Sequence, residues 1–201
     1  MVSLDLDPLS VELEAARQAQ LQGKPFISPY NDPEIIAGQG TIGMELFEQA
    51  PDLDAVFVAV GGGGMVSGIG AALRGLNPAI EVIGCWPANA PTLQRSLEVG
   101  EIIEMHEDDT ISDGTAGGIE PDSITFPLCQ RLLDRTVLVS EEEIKAAMRD
   151  VAASERWIIE GAAGVALAGM KKLAKEYRGK RVAVVLCGRN IVLEKYLGAI
   201  Q

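Results

Sequence analysis

The chain has 201 residues, 47% of them hydrophobic, and 29 acidic against 17 basic side chains leave a formal net charge of −12. That length can bury one full core, and the acidic balance argues against a nucleic-acid or anionic-membrane surface. No apolar run reaches the ~18 residues of a membrane span, and Met1-Val-Ser-Leu-Asp-Leu-Asp7 lacks the basic start and apolar core of a signal peptide.

In chain order, Leu9 to Leu21 has a helical pattern with Ser10 as a possible cap, and Phe26-Ile27-Ser28 reads as a short strand before the turn Pro29 to Pro33. Proline in a first turn suits a helix from about Pro33 to Gln49. The apolar run Asp54-Ala-Val-Phe-Val-Ala-Val60 reads as a strand, Gly61 to Gly64 as a glycine loop, and Met65 to Leu73 as a helix. A strand at Glu81–Cys85 and a helix at Pro91–Val99 follow, and Gly100 to Pro127 reads as acidic loop. Thr136–Val139 is a strand, and Ser140-Glu-Glu-Glu143 is a capping box opening a helix. Gly161 to Tyr177 is a further helix, and Arg181 to Leu186 reads as a strand buried on both faces of a parallel sheet. Strands separated by helices predict an α/β fold, an open and mostly parallel twisted sheet with flanking helices. Ligands of such sheets sit at the carboxyl ends of strands, where both Gly61–Gly64 and Cys187-Gly-Arg-Asn190 fall.

Glycines without Cβ atoms let a ligand approach the backbone. Free N–H groups leading into a helix N-terminus form a cradle for an anion, most often a phosphate. Two common phosphate motifs fail here. G-x-G-x-x-G breaks at Val66 and Ser67, and G-x-x-x-x-G-K-[ST] breaks because Ile69 follows Gly68. His106 is the only histidine, so a histidine-based zinc site or catalytic triad has little support. Cys85, Cys129 and Cys187 show no metal-ligand spacing, and a reduced, cytoplasmic compartment is the simplest reading.

Pro33-Glu-Ile-Ile-Ala-Gly-Gln-Gly-Thr-Ile-Gly43, the run Gly61 to Met65 with Ser67-Gly68, Ser112-Asp-Gly114, Val139 to Ile144, Glu160-Gly-Ala-Ala-Gly164 and Cys187-Gly-Arg-Asn190 occur in an order that resembles the serine/threonine dehydratase and serine racemase family. Those are fold type II enzymes dependent on pyridoxal 5′-phosphate. The resemblance spans roughly Pro25 to Leu193. It implies that Gly61, Gly62, Gly63, Gly64 and Met65 bind the cofactor phosphate and that Cys187 faces the pyridine nitrogen. It also puts Glu160 beside the cofactor, Asn190 at its pocket, and Asp113 and Gly114 on a loop bordering the substrate. Arg189 departs from the commoner glycine, as either a substrate-carboxylate ligand or a surface residue. Some relatives bind a divalent cation where this chain has Trp86, Ala90 and Thr92. A hard cation needs oxygen ligands, preferably carboxylates, so no metal is expected there.

The resemblance covers only the later part of the family's length. Residues 1–24 are expected to be a helical remnant of the small lobe and 25–201 the cofactor-binding large lobe. The family's Ser-Phe-Lys setting of the Schiff-base lysine is absent, so no catalytic residue is assigned. The lysines Lys24, Lys145, Lys171, Lys172, Lys175, Lys180 and Lys195 read as surface residues, with a helix from Ile191 carrying Lys195 away from the site. The implied function is part of a dehydratase that eliminates water from serine, threonine or a related hydroxy-amino acid and releases ammonia. This chain alone is expected to be inactive. A racemase of the same family, or a non-catalytic phosphate-ligand-binding or interaction module, are the alternatives. Apolar surface left by a missing lobe favours a homo-oligomer.

Overall fold

Four parallel strands organise residues 7–201, the part of the chain that the computed structural model describes. Met1–Leu6 lie outside the described residues, and with them most of the segment read as lacking a signal peptide and part of the expected small-lobe remnant. The strands are β1 (Ala55–Ala59), β2 (Glu81–Pro87), β3 (Arg135–Val139) and β4 (Val182–Val184), in the spatial order β3-β2-β1-β4. Central β1 pairs with β2 from Ala55↔Glu81 to Ala59↔Cys85, and with β4 from Ala55↔Val182 to Phe57↔Val184. Its unbroken apolar sequence follows from that position, because both faces of a parallel sheet are covered. Ala55, Phe57 and Ala59 point into a core shared with α6 (Glu141–Glu155), α7 (Gly161–Leu173) and α8 (Leu193–Ile200). Val56, Val58 and Val60 point into a second core with α3 (Gly64–Leu76), α4 (Thr92–Val99) and α5 (Thr125–Leu132). This is the expected α/β architecture. Among the described residues, no helix is long and apolar enough to cross a membrane.

Local signals start the helices where the residues predict. The Asp32 side chain accepts the Glu34 N–H at 2.8 Å and opens α2 (Pro33–Gln49), with proline in its first turn. Ser140 Oγ accepts the Glu143 N–H at 3.2 Å while Glu143 Oε2 accepts the Ser140 N–H at 2.7 Å, completing the capping box of α6. Helix α2 lies on α3 backbone to backbone. A Cβ on Gly43 would stand 2.8 Å from the Ile69 carbonyl oxygen, and one on Gly68 would overlap the Ile36 carbonyl and stand 2.7 Å from the Gly40 nitrogen.

Several expectations need correction. Helix α1 (Pro8–Leu21) is capped by Asp7, whose carboxylate accepts the Ser10 N–H at 3.0 Å; Ser10 lies inside the first turn. Phe26–Ser28 takes no regular secondary structure and joins no sheet among the described residues, and Phe26 and Ile27 stay exposed. The helix expected to reach Tyr177 ends at Leu173, after which the chain turns back and buries Tyr177 edge-on against Phe57, with ring centroids 5.3 Å apart. The acidic loop from Gly100 gives way to α5 at Thr125, with Pro127 in its first turn, where a missing N–H costs nothing. Strand β4 is only half-buried, because it forms an edge with β1 as its one partner among the described residues.

The α2–α3 contact leads to a paired prediction. Gly68→Ala should destabilise the protein by about 1–3 kcal/mol, because its methyl group would meet backbone that cannot move aside. Gly75→Ala, on the same helix with no atom within 4 Å of its Cβ position, should stabilise it by about 0.5–1 kcal/mol. Urea unfolding of both variants checks the contrast, and equal effects would refute the close approach.

Candidate cofactor site

The strand order has a reversal point. From β1 the chain steps outward through β2 to β3, then returns over α6 and α7 to place β4 on the other side of β1. The segments leaving the carboxyl ends of β1 and β4 therefore diverge and leave a crevice between them. The segment after β1 is Gly61–Gly64, and the chain after β4 leads to Cys187. They face one cavity of about 300 Å³ that is also lined by Tyr30, Gly114, Thr115, Glu160 and Ala162.

On the β1 side, the sheet hydrogen bonds end with Val60 N–H to the Cys85 carbonyl at 2.9 Å, and the helical ones begin with Ser67 N–H to the Gly63 carbonyl at 3.0 Å. Between them, the N–H groups from Gly61 to Val66 have no protein acceptor among the described residues. The first turn of any helix leaves such donors open, and the preceding loop extends the series. Gly63 takes φ 87°, the left-handed region that favours glycine, and directs the chain into α3. A Cβ there would meet Cys129 Sγ at 3.0 Å and Leu93 at 3.1 Å, behind the loop and away from the cavity. The Thr125 hydroxyl donates to the Gly62 carbonyl at 2.6 Å and fixes that peptide plane.

On the opposite wall, Glu160 precedes α7 and Cys187 follows β4. The Glu160 N–H donates to the Gly188 carbonyl at 3.2 Å, and Glu160 Oε2 accepts the Asn190 N–H at 2.9 Å. A Cβ on Gly188 would overlap the Glu160 carboxylate, so a side chain there would displace that carboxylate from its present position. A carboxylate at the start of α7 also meets the positive end of that helix. Cys187 opens onto the cavity, yet the surrounding walls desolvate its thiol. Burial first, and the Glu160 carboxylate second, push it up to about 11.

The structure thus brings Gly61, Gly62, Gly63, Gly64, Met65, Glu160, Cys187 and Gly114 to one cavity. It does not bring in the side chains of Asn190 or Asp113. Asn190 is exposed and contributes a backbone N–H to Glu160. Asp113 opens a single 3₁₀ turn, Asp113–Thr115, and accepts from Lys195 Nζ at 2.6 Å. Lys195 is therefore carried toward the loop beside the site, contrary to expectation, because α8 begins at Leu193. Arg189 stacks over Trp157, with the guanidinium carbon 5.8 Å from the ring centroid. Trp86 and Thr92 are buried, and Thr92 Oγ1 donates to Glu107 Oε1, whose other oxygen accepts the Gly117 N–H at 2.6 Å. Sequence reasoning missed Tyr30, Glu107, Thr115 and Thr125. They lie far from the glycines in the chain, and only a general turn signal at Pro29–Pro33 marked any of them.

This geometry places the chain in a known class. The sequence profile described as "Pyridoxal-phosphate dependent enzyme" matches residues 5–188, and the chain belongs to that family. Within it the chain groups with the fold type II threonine dehydratases and serine racemases. An L-threonine ammonia-lyase from Thermotoga maritima is 40% identical over 178 residues, covering 88% of this chain and 44% of that protein. The processed form of threonine deaminase isoform 2 from Solanum lycopersicum superimposes with a TM-score of 0.87 at 34% identity, over 93% of this chain and 55% of that one. Serine racemase from Dictyostelium discoideum gives 0.81 at 35% identity, over 90% and 59%. The chain spans about half the length of these relatives.

The state of Cys187 is directly measurable. Cys85 and Cys129 are buried, so iodoacetamide should label Cys187 alone in the folded protein. The pH–rate profile should rise toward a midpoint near 11. Glu160→Gln removes a negative charge that opposes the thiolate, so the midpoint should fall and labelling at pH 9 should speed up. A rate unchanged by that substitution would remove Glu160 as a cause.

Proposed function

We propose that this chain is the cofactor-binding part of a pyridoxal-phosphate-dependent amino-acid dehydratase, which eliminates water from serine, threonine or a related hydroxy-amino acid and releases ammonia. The observation that carries the reading is the series of unpaired amides from Gly61 to Val66 facing the cavity. Backbone N–H groups at a helix N-terminus suit a phosphate monoester, and about 300 Å³ is at the lower end of small-ligand pockets. The residues present therefore fit the group. In this reading Gly61–Gly64 and Met65 hold the phosphate. Cys187, a neutral thiol at physiological pH, offers the ring nitrogen a weak hydrogen bond rather than a charge. Glu160 borders the ring, Gly114 borders the substrate, and Asp113 and Asn190 act indirectly, through Lys195 and Glu160. When bound, the cofactor supplies the electron sink that makes the substrate's α-proton removable.

None of the chain's lysines lines the cavity, so the anchoring amine belongs to the part of the family fold beyond these 201 residues. Residues 1–24 then belong to the small lobe and 25–201 to the large one. A cytoplasmic setting accords with three free thiols. The racemase reading has the similarity to the Dictyostelium enzyme behind it, and it uses the same cavity.

Pyridoxal 5′-phosphate should bind the 201-residue chain at one site per chain, inorganic phosphate should compete, and pyridoxal without its phosphate should bind far more weakly. Gly63→Val should abolish binding, because a β-branched residue cannot hold φ 87°. The chain alone should release no ammonia from serine or threonine. Equilibrium dialysis and a keto-acid assay test both halves, and unchanged affinity in Gly63→Val would overturn the cradle. Exposed Trp157, Ile158, Val192, Leu193 and Leu197, in the segments before α7 and after β4, support self-association. Light scattering should give a dimer or larger species, and a monomer at high concentration would argue against it.

A further inference from the structure

Tyr30 has no role in the reading above, yet the glycine loop is shaped around it. The residue is 9% exposed and lies at the cavity wall. A methyl group built on Gly62 would overlap the Tyr30 ring. One built on Gly64 would stand 2.8 Å from the Tyr30 Cα and 2.9 Å from its carbonyl oxygen. The tyrosine ring therefore demands a glycine at position 62, and the backbone that carries the ring demands one at position 64.

Tyr30 is itself held in place. Its phenolic oxygen accepts the Glu120 N–H at 3.2 Å, and Ser28 Oγ accepts the Asn31 N–H at 3.0 Å. The Asn31 side chain donates to Glu120 Oε2 and accepts the Ile124 N–H at 2.9 Å. Residue 125, next along, is the threonine whose hydroxyl grips the Gly62 carbonyl. Tyr30 and Thr125 thus constrain Gly62 through its Cα and its carbonyl, and both are tied to the 120–125 segment. Burial pushes the phenol up to about 12, so it stays a neutral hydroxyl and its fixed contacts do not vary over physiological pH.

We propose that Tyr30 is the positioning residue of the cradle: its ring is the stop against which Gly62 rests, while the backbone that carries the ring abuts Gly64, and without the ring the amides from Gly61 to Val66 no longer converge on one anion. This rests on the phosphate reading of the loop. The ring, rather than the hydroxyl, does the positioning. The steric fit between Tyr30 and Gly62 also means that the two positions are energetically coupled.

A double-mutant cycle on the 201-residue chain tests this, with binding of inorganic phosphate and pyridoxal 5′-phosphate read by equilibrium dialysis and folding read by thermal unfolding. Tyr30→Phe should bind within about twofold of the parent, and Tyr30→Ala should lose about tenfold at a temperature where it remains folded. Gly62→Ala should lose at least about tenfold in the parent but less than about twofold in the Tyr30→Ala background. Equal losses in both backgrounds, or parent-like affinity in Tyr30→Ala, would overturn the proposal. If Gly62→Ala does not fold, recovery of folding in the double variant supports the coupling, and failure of the double variant while Tyr30→Ala folds overturns it. If the parent itself binds neither probe, the phosphate reading fails. The same cycle read in melting temperature then decides the coupling, non-additivity supporting it and additivity overturning it.

Discussion

A run of backbone N–H groups from Gly61 to Val66 with no protein acceptor among the described residues is the constraint around which the rest of the site is arranged. Peptide donors shut away without partners cost free energy comparable to a lost hydrogen bond. They are tolerable here because they face a cavity that water or an anion can enter. Holding them in that direction needs fixed peptide planes. Gly63 in the left-handed region turns the chain into α3, and Thr125 anchors the Gly62 carbonyl. The strand behind the loop is the most deeply placed in the sheet, with Ala55 to Val58 fully buried. The donors therefore project from a rigid support, which lowers the ordering cost of binding.

The sheet order gives those donors something to face. Because β4 returns beside β1 instead of extending the row past β3, the glycine loop and Cys187 stand across one crevice. Helices α3 and α7 both begin at that crevice, so two positive helix ends converge on it. One serves the open amides. The other meets the Glu160 carboxylate, which the Asn190 N–H also steadies. The site thus separates a wall of open amides from a carboxylate wall, although both are built from the same kind of helix start.

What was legible in the sequence is what local chemistry encodes. The apolar run of β1, the glycines, the capping box at Ser140 and the proline start of α2 each carry their signal within a few residues, and each element forms where expected. The unread features depend on contacts distant in the chain. Tyr30 meets Gly62, Glu107 links Thr92 to Gly117, and Lys195 reaches Asp113. An apolar strand at Arg181–Leu186 reads the same at the centre of a sheet as at its edge, so its exposure was not legible. Phe26–Ser28 has strand composition but no partner among the described residues, and β propensity measures fit to neighbours more than a backbone preference. Asn190 meets the wall of the cavity through its backbone amide, which Glu160 accepts, a contact that its residue type in the motif does not signal.

The charge of the molecule narrows what the cradle can hold. The net charge is −12, Glu12 and Glu160 line the cavity, and no lysine or arginine does. Burial, and then neighbouring Glu120, raise the Glu12 carboxyl above its ordinary range, which softens this repulsion without reversing it. A small bare anion must enter against the long-range field and lose its hydration, with only short-range backbone dipoles to compensate. A phosphate attached to a neutral ring gains the same amide contacts. In addition it buries apolar surface against Ala59, Met65 and Ala162, which share the cavity. Under the proposed function, selectivity at this site resides in the body that carries the phosphate, while the glycine loop supplies a grip common to many phosphate esters.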